Sequence, residues 1–295
     1  MSAETRFNSV FRDGLFEGQV ALVTGGGTGI GRCIAHELAS LGAKVLIAGR
    51  RPEPLESTVG EIRASGGDAE HVVLNIREED EVDRTLRELV ETHGPIELLV
   101  NNAGGQFASP ASMIRPKGWR AVIDTNLNGT WFVTHATFTH SFSRQRRGSV
   151  VSIVADMWNG FPGMAHTGAA RAGVVNLTQT LAIEWASSGV RVNAVAPGFV
   201  LSSGLKNYPP QIQAMAAEVM LQNPSGRVGT ESEVSAAVVF LLSPAAAYIS
   251  GATLRVDGAA SLQKQPLVPM VKHDNIPAWD GFHLAADLPE VFRQS

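Results

Sequence analysis

Residues 25–31 read Gly-Gly-Gly-Thr-Gly-Ile-Gly, directly after the apolar run Gln19–Thr24 and directly before a helical pattern running from Ile30 to Ser40. Glycines at this spacing, between a strand and a helix, make a cradle for a dinucleotide pyrophosphate. Gly25 permits the tight turn, Gly29 lets backbone amides approach the phosphates, and Gly31 allows close helix–strand packing. The helix N-terminus attracts the negative charge, with Thr28 and Ile30 completing the loop. A second constellation lies at His166, Thr167 and Arg171. Thr167 and Arg171 stand four apart on one helix face, so both side chains can point at one site. His166 adjoins them as a second hydrogen-bond donor or a proton relay. A threonine hydroxyl is too weak an acid to deliver a proton, and an arginine stays charged at any working pH. The group is therefore rich in donors and poor in acids. Asp156 is the only acid just beyond the fifth apolar run, at the edge where ligands bind in such sheets. It could orient a water, donate a proton or cap the following turn.

Short β-branched runs alternating with helical patterns must position these residues. The candidate strands are Gln19–Thr24, Lys44–Ala48, His71–Asn75, Leu98–Asn101, Ser149–Val154, Arg191–Ala196 and Thr253–Val256. Helical patterns fill the gaps, among them Ile30–Ser40, Glu79–His93, Thr167–Ser187 and Glu231–Leu242. This alternation predicts an α/β Rossmann-type fold: one doubly wound, seven-stranded parallel sheet with helices on both faces. The 295 residues read as a single domain with a core over about 17–260. Residues 199–229 interrupt the alternation and are expected to form a substrate lid, Met215 and Met220 giving it a soft apolar lining. Residues 261–295 are expected to form a C-terminal arm.

Composition narrows the partners. A net charge of −4 with both signs interspersed offers no footprint for nucleic acid. No apolar run approaches the roughly 20 residues of a membrane span. The single cysteine, Cys33, excludes an internal disulfide framework, fits a reducing compartment and is expected to pack in the core. The first residues do not form a secretory signal and the last four, Phe292-Arg293-Gln294-Ser295, are not a peroxisomal address, so a cytoplasmic protein is expected. The histidines show no metal-ligand spacing with cysteine or acid, and no metal is expected.

The end of the second strand selects the cofactor. Lys44–Ala48 runs into Gly49-Arg50-Arg51, with no acid before Glu53. An acid there would bind the ribose hydroxyls of NAD, whereas arginine takes the 2′-phosphate of NADP, so Arg50 and Arg51 point to NADPH over NAD.

These features, in this order, resemble the short-chain dehydrogenase/reductase family across about residues 17–260. The resemblance also rests on Asn101-Asn102-Ala103-Gly104, on Asn126, on Pro197-Gly198 and on the segment from Asn223 to Val234. It implies that Asn102, Ala103 and Gly104 lie near the adenosine ribose and that Asn75, followed by Ile76, contacts the adenine, where an amide replaces the family's usual Asp. It further implies that Asn126 bends its helix and holds a water at the active site, and that Pro197 and Gly198 cradle the nicotinamide amide.

One departure from the family narrows the chemistry. The family's usual Tyr-x-x-x-Lys is replaced by Thr167 and Arg171, and the position thirteen before Thr167 is Val154 rather than Ser, with Ala155 beside it. The only tyrosines, Tyr208 and Tyr248, lack a Lys four residues on. Arg171 could still hold the nicotinamide ribose as the Lys does. Carbonyl reduction needs an acid at oxygen. Reduction of a conjugated C=C instead places hydride on the β-carbon and negative charge on the carbonyl oxygen, where donors suffice. The stretch His166–Val174, together with Asn102–Phe107, Gly160-Phe161-Pro162 and His273-Asp274-Asn275, resembles the peroxisomal-type trans-2-enoyl-CoA reductases and their bacterial relatives.

That resemblance implies NADPH-dependent saturation of the C2=C3 bond of a trans-2-enoyl thioester. Two alternatives stand beside it: a carbonyl or alcohol oxidoreductase using Asp156 or His166 as acid/base, and a catalytically silent NADPH-binding protein. An acyl-CoA substrate would need cations for its phosphates, for which Lys117, Arg120, Arg144, Arg146 and Arg147 are available. The family also implies a homotetramer built on the helices around 107–140 and 167–187.

Overall fold

The structure is a computed structural model that describes residues 9–202, 210, 223–262, 273–282 and 284. Most of the expected lid, Met215 and Met220 included, and residues 263–272 of the arm lie outside the described residues.

Seven strands form one sheet: β1 (Val20–Thr24), β2 (Lys44–Gly49), β3 (Asp68–Val73), β4 (Ile96–Asn101), β5 (Gly148–Ile153), β6 (Val190–Pro197) and β7 (Thr253–Val256). Their spatial order is β3-β2-β1-β4-β5-β6-β7, and every pairing is parallel. The strand order reverses between β1 and β4, which opens a crevice at the carboxyl ends of those two strands, where ligands bind in sheets of this kind. Strands buried on both faces read as continuous apolar runs, and the inner strands β1 and β5 are buried at every residue.

The helices are α1 (Gly29–Ser40), α2 (Pro52–Ala64), α3 (Glu79–His93), α4 (Pro116–Ile123), α5 (Gly129–Thr137), α6 (Ser143–Gln145), α7 (Ala165–Glu184) and α8 (Glu231–Leu242). One face of the sheet is covered by Ile34 and Leu38 of α1 and Val234 and Val238 of α8. The other is covered by Val82 and Leu86 of α3, Val133 of α5 and Leu181 of α7. Cys33 is fully buried on α1. The start of α8 is fixed by a capping box: the Glu233 amide donates to Thr230 Oγ1 and the Thr230 amide to Glu233 Oε2. Among the described residues, no helix is long and apolar enough to cross a membrane, and no cluster of side chains suits a metal ion.

Several element ends shift by one to three residues from expectation, and two of these shifts bear on the site. The third strand runs Asp68–Val73, three residues earlier than its β-branched residues suggest, because Lys44 pairs with Asp68 and the ladder follows from there. As an edge strand it tolerates polar residues at alternate positions. Asn75 therefore lies past the strand end, where its side chain accepts from the Arg77 amide at 3.4 Å and donates to Glu78 at 3.1 Å. The catalytic-face helix α7 starts at Ala165, so His166 and Thr167 belong to its first turn.

Candidate active site

The glycine loop is built as a rigid cradle. Gly25 has φ +68°, which only glycine adopts without strain, and its amide donates to Ala48 O at 2.7 Å. Thr24 Oγ1 accepts the amides of both Asn102 and Ala103 at 3.0 Å, and the Asn102 side-chain amide donates to Thr24 O and Gly25 O at 3.1 and 3.2 Å. A Cβ at Gly31 would overlap both Asn102 Nδ2 and Gly25 O. The end of β4 thus locks the turn after β1, and α1 can start within contact of both. Gly29 opens α1, with Thr28 in extended conformation before it. An extended backbone, a left-handed glycine and a free helix N-terminus are what a pyrophosphate requires, so these residues fit the dinucleotide that the sequence implies. Arg50 and Arg51 extend from the end of β2, both exposed and, among the described residues, with no hydrogen-bond or ion-pair partner, as a 2′-phosphate site needs. Ile76 is buried, packed at Gly129 on α5. Pro197 ends β6, and the Gly198 amide donates to Val256 O at 3.0 Å, beside Asp257.

At the other end of the crevice a cluster forms around Gly104, whose Cβ position lies 2.6 Å from Nη2 of Arg171 and 2.7 Å from Oδ1 of Asn126. Asn126 is fully buried within a π-helical segment, Asp124–Asn128, that offsets α5 from α4. Its Nδ2 donates to Gly105 O and Val122 O at 2.7 and 2.8 Å, and its Oδ1 accepts from the Gly105 amide at 3.3 Å. The side chain is saturated by the Gly105 backbone and the helix, so it positions the loop after β4. Arg171 Nη1 donates to Ile153 O, at the end of β5, at 2.7 Å, while its Nε is buried without a partner. Burial pulls the guanidinium pKa down to about 10, which leaves it charged at neutral pH. A buried cation held by a single carbonyl is costly unless a ligand completes its shell.

His166 is fully buried, and its neighbours fix its chemistry. The first amides of a helix have no intrahelical acceptor, and the Thr167 amide finds one in Nδ1 of His166, at 2.8 Å. The ring proton therefore sits on Nε2, and Nε2 is buried with no partner. Burial pushes the imidazole below its ordinary range, opposed by the Met164 carbonyl. The result favours a neutral imidazole whose Nε2 meets no hydrogen-bond partner among the described residues. The Thr167 hydroxyl lies 3.3 Å from the same Nδ1, turned toward the ring. Phe107 meets His166 edge-on, with ring centroids 4.5 Å apart. The loop bearing Phe107 is tied across the mouth by the Ser109 amide donating to Gly163 O at 2.7 Å.

Asp156 is half-buried on the loop after β5. Burial and the neighbouring Asp257 carboxylate raise its pKa, against the Trp158 amide and the Arg255 guanidinium. The structure thus brings together Asn126, Gly104 and Arg171 in one cluster and His166, Thr167 and Phe107 in another. Asp156 sits at the ends of β5 and β7. Sequence reasoning missed Thr24 as the knot of the cradle, the Ile153 carbonyl that holds Arg171, and Asp257. The polar ending of an otherwise apolar strand was a usable signal for Thr24, whereas the proximity of the Asp257 charge to Asp156 depends on strand order.

A family model described as enoyl-(acyl carrier protein) reductase matches residues 25–260. A probable 2,4-dienoyl-CoA reductase of Bacillus subtilis is 36% identical, over 85% of this chain and 99% of its own length. A 3-oxoacyl-[acyl-carrier-protein] reductase of Synechocystis is 41% identical, over 81% of this chain and 96% of its own. Among solved structures, the citronellol catabolism dehydrogenase of Pseudomonas aeruginosa is 49% identical with a TM-score of 0.78, covering 86% of this chain and 100% of that one.

Proposed function

Because the chain belongs to the short-chain dehydrogenase/reductase family of NAD(P)-dependent oxidoreductases, we propose that it uses NADPH to reduce the C2=C3 bond of a trans-2-enoyl thioester. The observation that carries this reading is His166: a buried, neutral imidazole with a free Nε2–H, in a site that lacks the family's acidic tyrosine. A nicotinamide bound here would supply the hydride, to C3. The turn at Gly25 and the first turn of α1 would hold its pyrophosphate, and Arg50 and Arg51 its 2′-phosphate. Arg171, beside Gly104, would hold the nicotinamide ribose hydroxyls. His166 Nε2–H donates to the thioester carbonyl oxygen as negative charge develops there, a fixed donor in a site from which water is excluded. Asn126 holds the Gly104–Gly105 backbone beside Arg171. Asp156, half-buried where β5 and β7 end, orients the water that delivers a proton to C2.

A neutral donor is enough to stabilise an enolate oxygen but cannot complete a ketone reduction, which must leave a proton on oxygen. That difference favours C=C over C=O reduction here. The similarity to a protein named a citronellol catabolism dehydrogenase supports a second reading, oxidation or reduction of a branched, terpenoid-type alcohol or aldehyde, with His166 or Asp156 as the acid/base. NADPH oxidation against trans-2-enoyl-CoA esters, with matched aldehydes and ketones alongside, separates the two. Consumption with the enoyl esters alone supports the first reading, and consumption with the carbonyl compounds alone replaces it with the second.

A further inference from the structure

Residues 273–282 of the C-terminal arm form no helix or strand, so their backbone groups must find partners elsewhere. Side chains of one segment supply them. Arg227 Nε donates to Ile276 O at 3.0 Å and Nη2 to Pro277 O at 3.3 Å, while Thr230 Oγ1 donates to Trp279 O at 2.6 Å. The Trp279 amide donates to Glu233 Oε1 at 3.4 Å, on the carboxylate that also pairs with Arg227 and caps α8. Past this anchor the Phe282 amide donates to Ser232 Oγ at 3.1 Å, and the Phe282 ring reaches α1.

Phe282 is buried against two residues one turn apart on α1. Its ring lies 5.0 Å from Cζ of Arg32 and meets His36 edge-on, with ring centroids 5.0 Å apart. Both of these residues also meet one carboxylate of α2: Arg32 Nε donates to Glu61 Oε2 at 2.7 Å, and His36 Nε2 lies 3.1 Å from the same oxygen. The Arg32 amide donates to Thr28 O at 3.2 Å and so closes the first turn of α1, and Thr58 Oγ1 of α2 donates to Gly27 O at 3.2 Å. The arm therefore docks on the side chains that join α1 to α2, and these two helices hold the glycine loop between them.

We propose that the arm is a strap coupled to dinucleotide binding, with Phe282 as a positioning residue that acts through Arg32 and the first turn of α1. A segment held by a few side-chain bonds and one buried ring opens at low local cost, so its docking responds to the order of the surface beneath it. Docked, it steadies the turn that a pyrophosphate needs, and a bound dinucleotide steadies the arm in return, because coupling between two sites is reciprocal. This inference rests on the family's cofactor and not on the reaction proposed above, so it stands or falls independently of the enoyl substrate.

The test is hydrogen exchange read by mass spectrometry on the full-length protein, with and without NADP⁺, or NAD⁺ if that binds more tightly. In the unmodified protein the dinucleotide should slow exchange over residues 29–36 and also over residues 276–282, which lie on the arm. Phe282→Ala should speed exchange over 29–36 in the dinucleotide-free protein and weaken dinucleotide binding by about 5- to 150-fold, the usual range of coupling between sites. Phe282→Leu, which keeps an apolar body but not the ring, should fall between. In Phe282→Ala the arm should no longer respond to the dinucleotide. Arm exchange that ignores the dinucleotide in the unmodified protein overturns the proposal, and this arm of the test needs no variant to fold. Unchanged affinity in a folded Phe282→Ala protein, or an arm that still responds in that variant, overturns it as well.

Discussion

The amide of Thr167 donates to Nδ1 of His166 at 2.8 Å, and this one bond decides what the imidazole can do. It uses the helix's own unsatisfied amide to fix the tautomer, so that Nε2 carries the proton and faces no protein partner. Where the family usually places an acid, this chain places a threonine whose backbone, more than its hydroxyl, does the work.

If His166 is the donor to the substrate oxygen, His166→Ala should lower kcat by about 10²- to 10³-fold, the range for removing one such donor, while NADPH affinity measured by fluorescence titration stays unchanged. Thr167→Val keeps the amide and should alter kcat by no more than about threefold, the scale of one weak neutral hydrogen bond. A larger effect of Thr167→Val than of His166→Ala would move the donor role to the hydroxyl.

The pH profile follows from the same geometry. Burial favours neutral His166, whose folded pKa lies below its ordinary 6.5. The neutral donor should therefore persist as pH falls through 6.5, and kcat should decline only in more acid solution, as the ring protonates at its lowered value. The same shift costs stability in that window, since the unfolded chain takes up the proton first. An acid limb of kcat centred at or above 6.5, absent from His166→Gln, would contradict this.

Arg50 and Arg51 are exposed after β2 and unpaired among the described residues. Changing both to Ala should raise the KM for NADPH by about 10- to 100-fold, as expected for losing charge-assisted hydrogen bonds to a phosphate, and leave the KM for NADH nearly untouched. Equal losses for the two cofactors would mean that these arginines do not read the 2′-phosphate.

Gly31→Ala drives a methyl group into Asn102 Nδ2 and Gly25 O, at the knot that joins the ends of β1 and β4. The expected outcome is a loss of stability of about 1–3 kcal/mol, the usual cost of overpacking, with cofactor binding weakened beyond detection in the fluorescence titration. Normal NADPH affinity in this variant would show that the cradle is softer than its hydrogen bonds imply.

A buried carboxylate gives a prediction away from the site. Glu37 on α1 accepts from Ser9 at 2.8 Å and from Ser235 of α8, and burial raises its pKa against those two bonds. With the folded value above the unfolded one, the native state binds the proton more tightly, so this group's contribution to stability falls as pH rises from 4.5 through the raised value. Glu37→Gln should abolish that slope and raise Tm at pH 8. A lower Tm for the variant at pH 8 would show that the charge itself holds α1 to α8.

The strand and helix pattern was legible in the sequence because parallel strands buried on both faces leave long apolar runs, and because the glycine loop marks where β1 gives way to α1. The ends of Glu79–His93 and Glu231–Leu242 were read to the residue. The third strand was displaced because an edge strand carries polar residues that hide its start. At the site, the residue types at 156, 166, 167 and 171 were legible, but their burial was not. Phe107 reaches His166 from the loop after β4, and the charge of Asp257 at the end of β7 is felt at Asp156; both relationships exist only once the strand order is set. The clamp of Arg227 onto the arm is of the same kind, made between segments about fifty residues apart.

The central claim is that hydride goes to carbon three of an enoyl thioester and the carbonyl survives. The direct test is turnover of trans-2-decenoyl-CoA with NADPH deuterated at the transferable position, with the product read by mass spectrometry. The account predicts decanoyl-CoA carrying one deuterium at C3 and an intact thioester. Deuterium on a carbinol carbon, or turnover confined to alcohols, aldehydes and ketones, would contradict it.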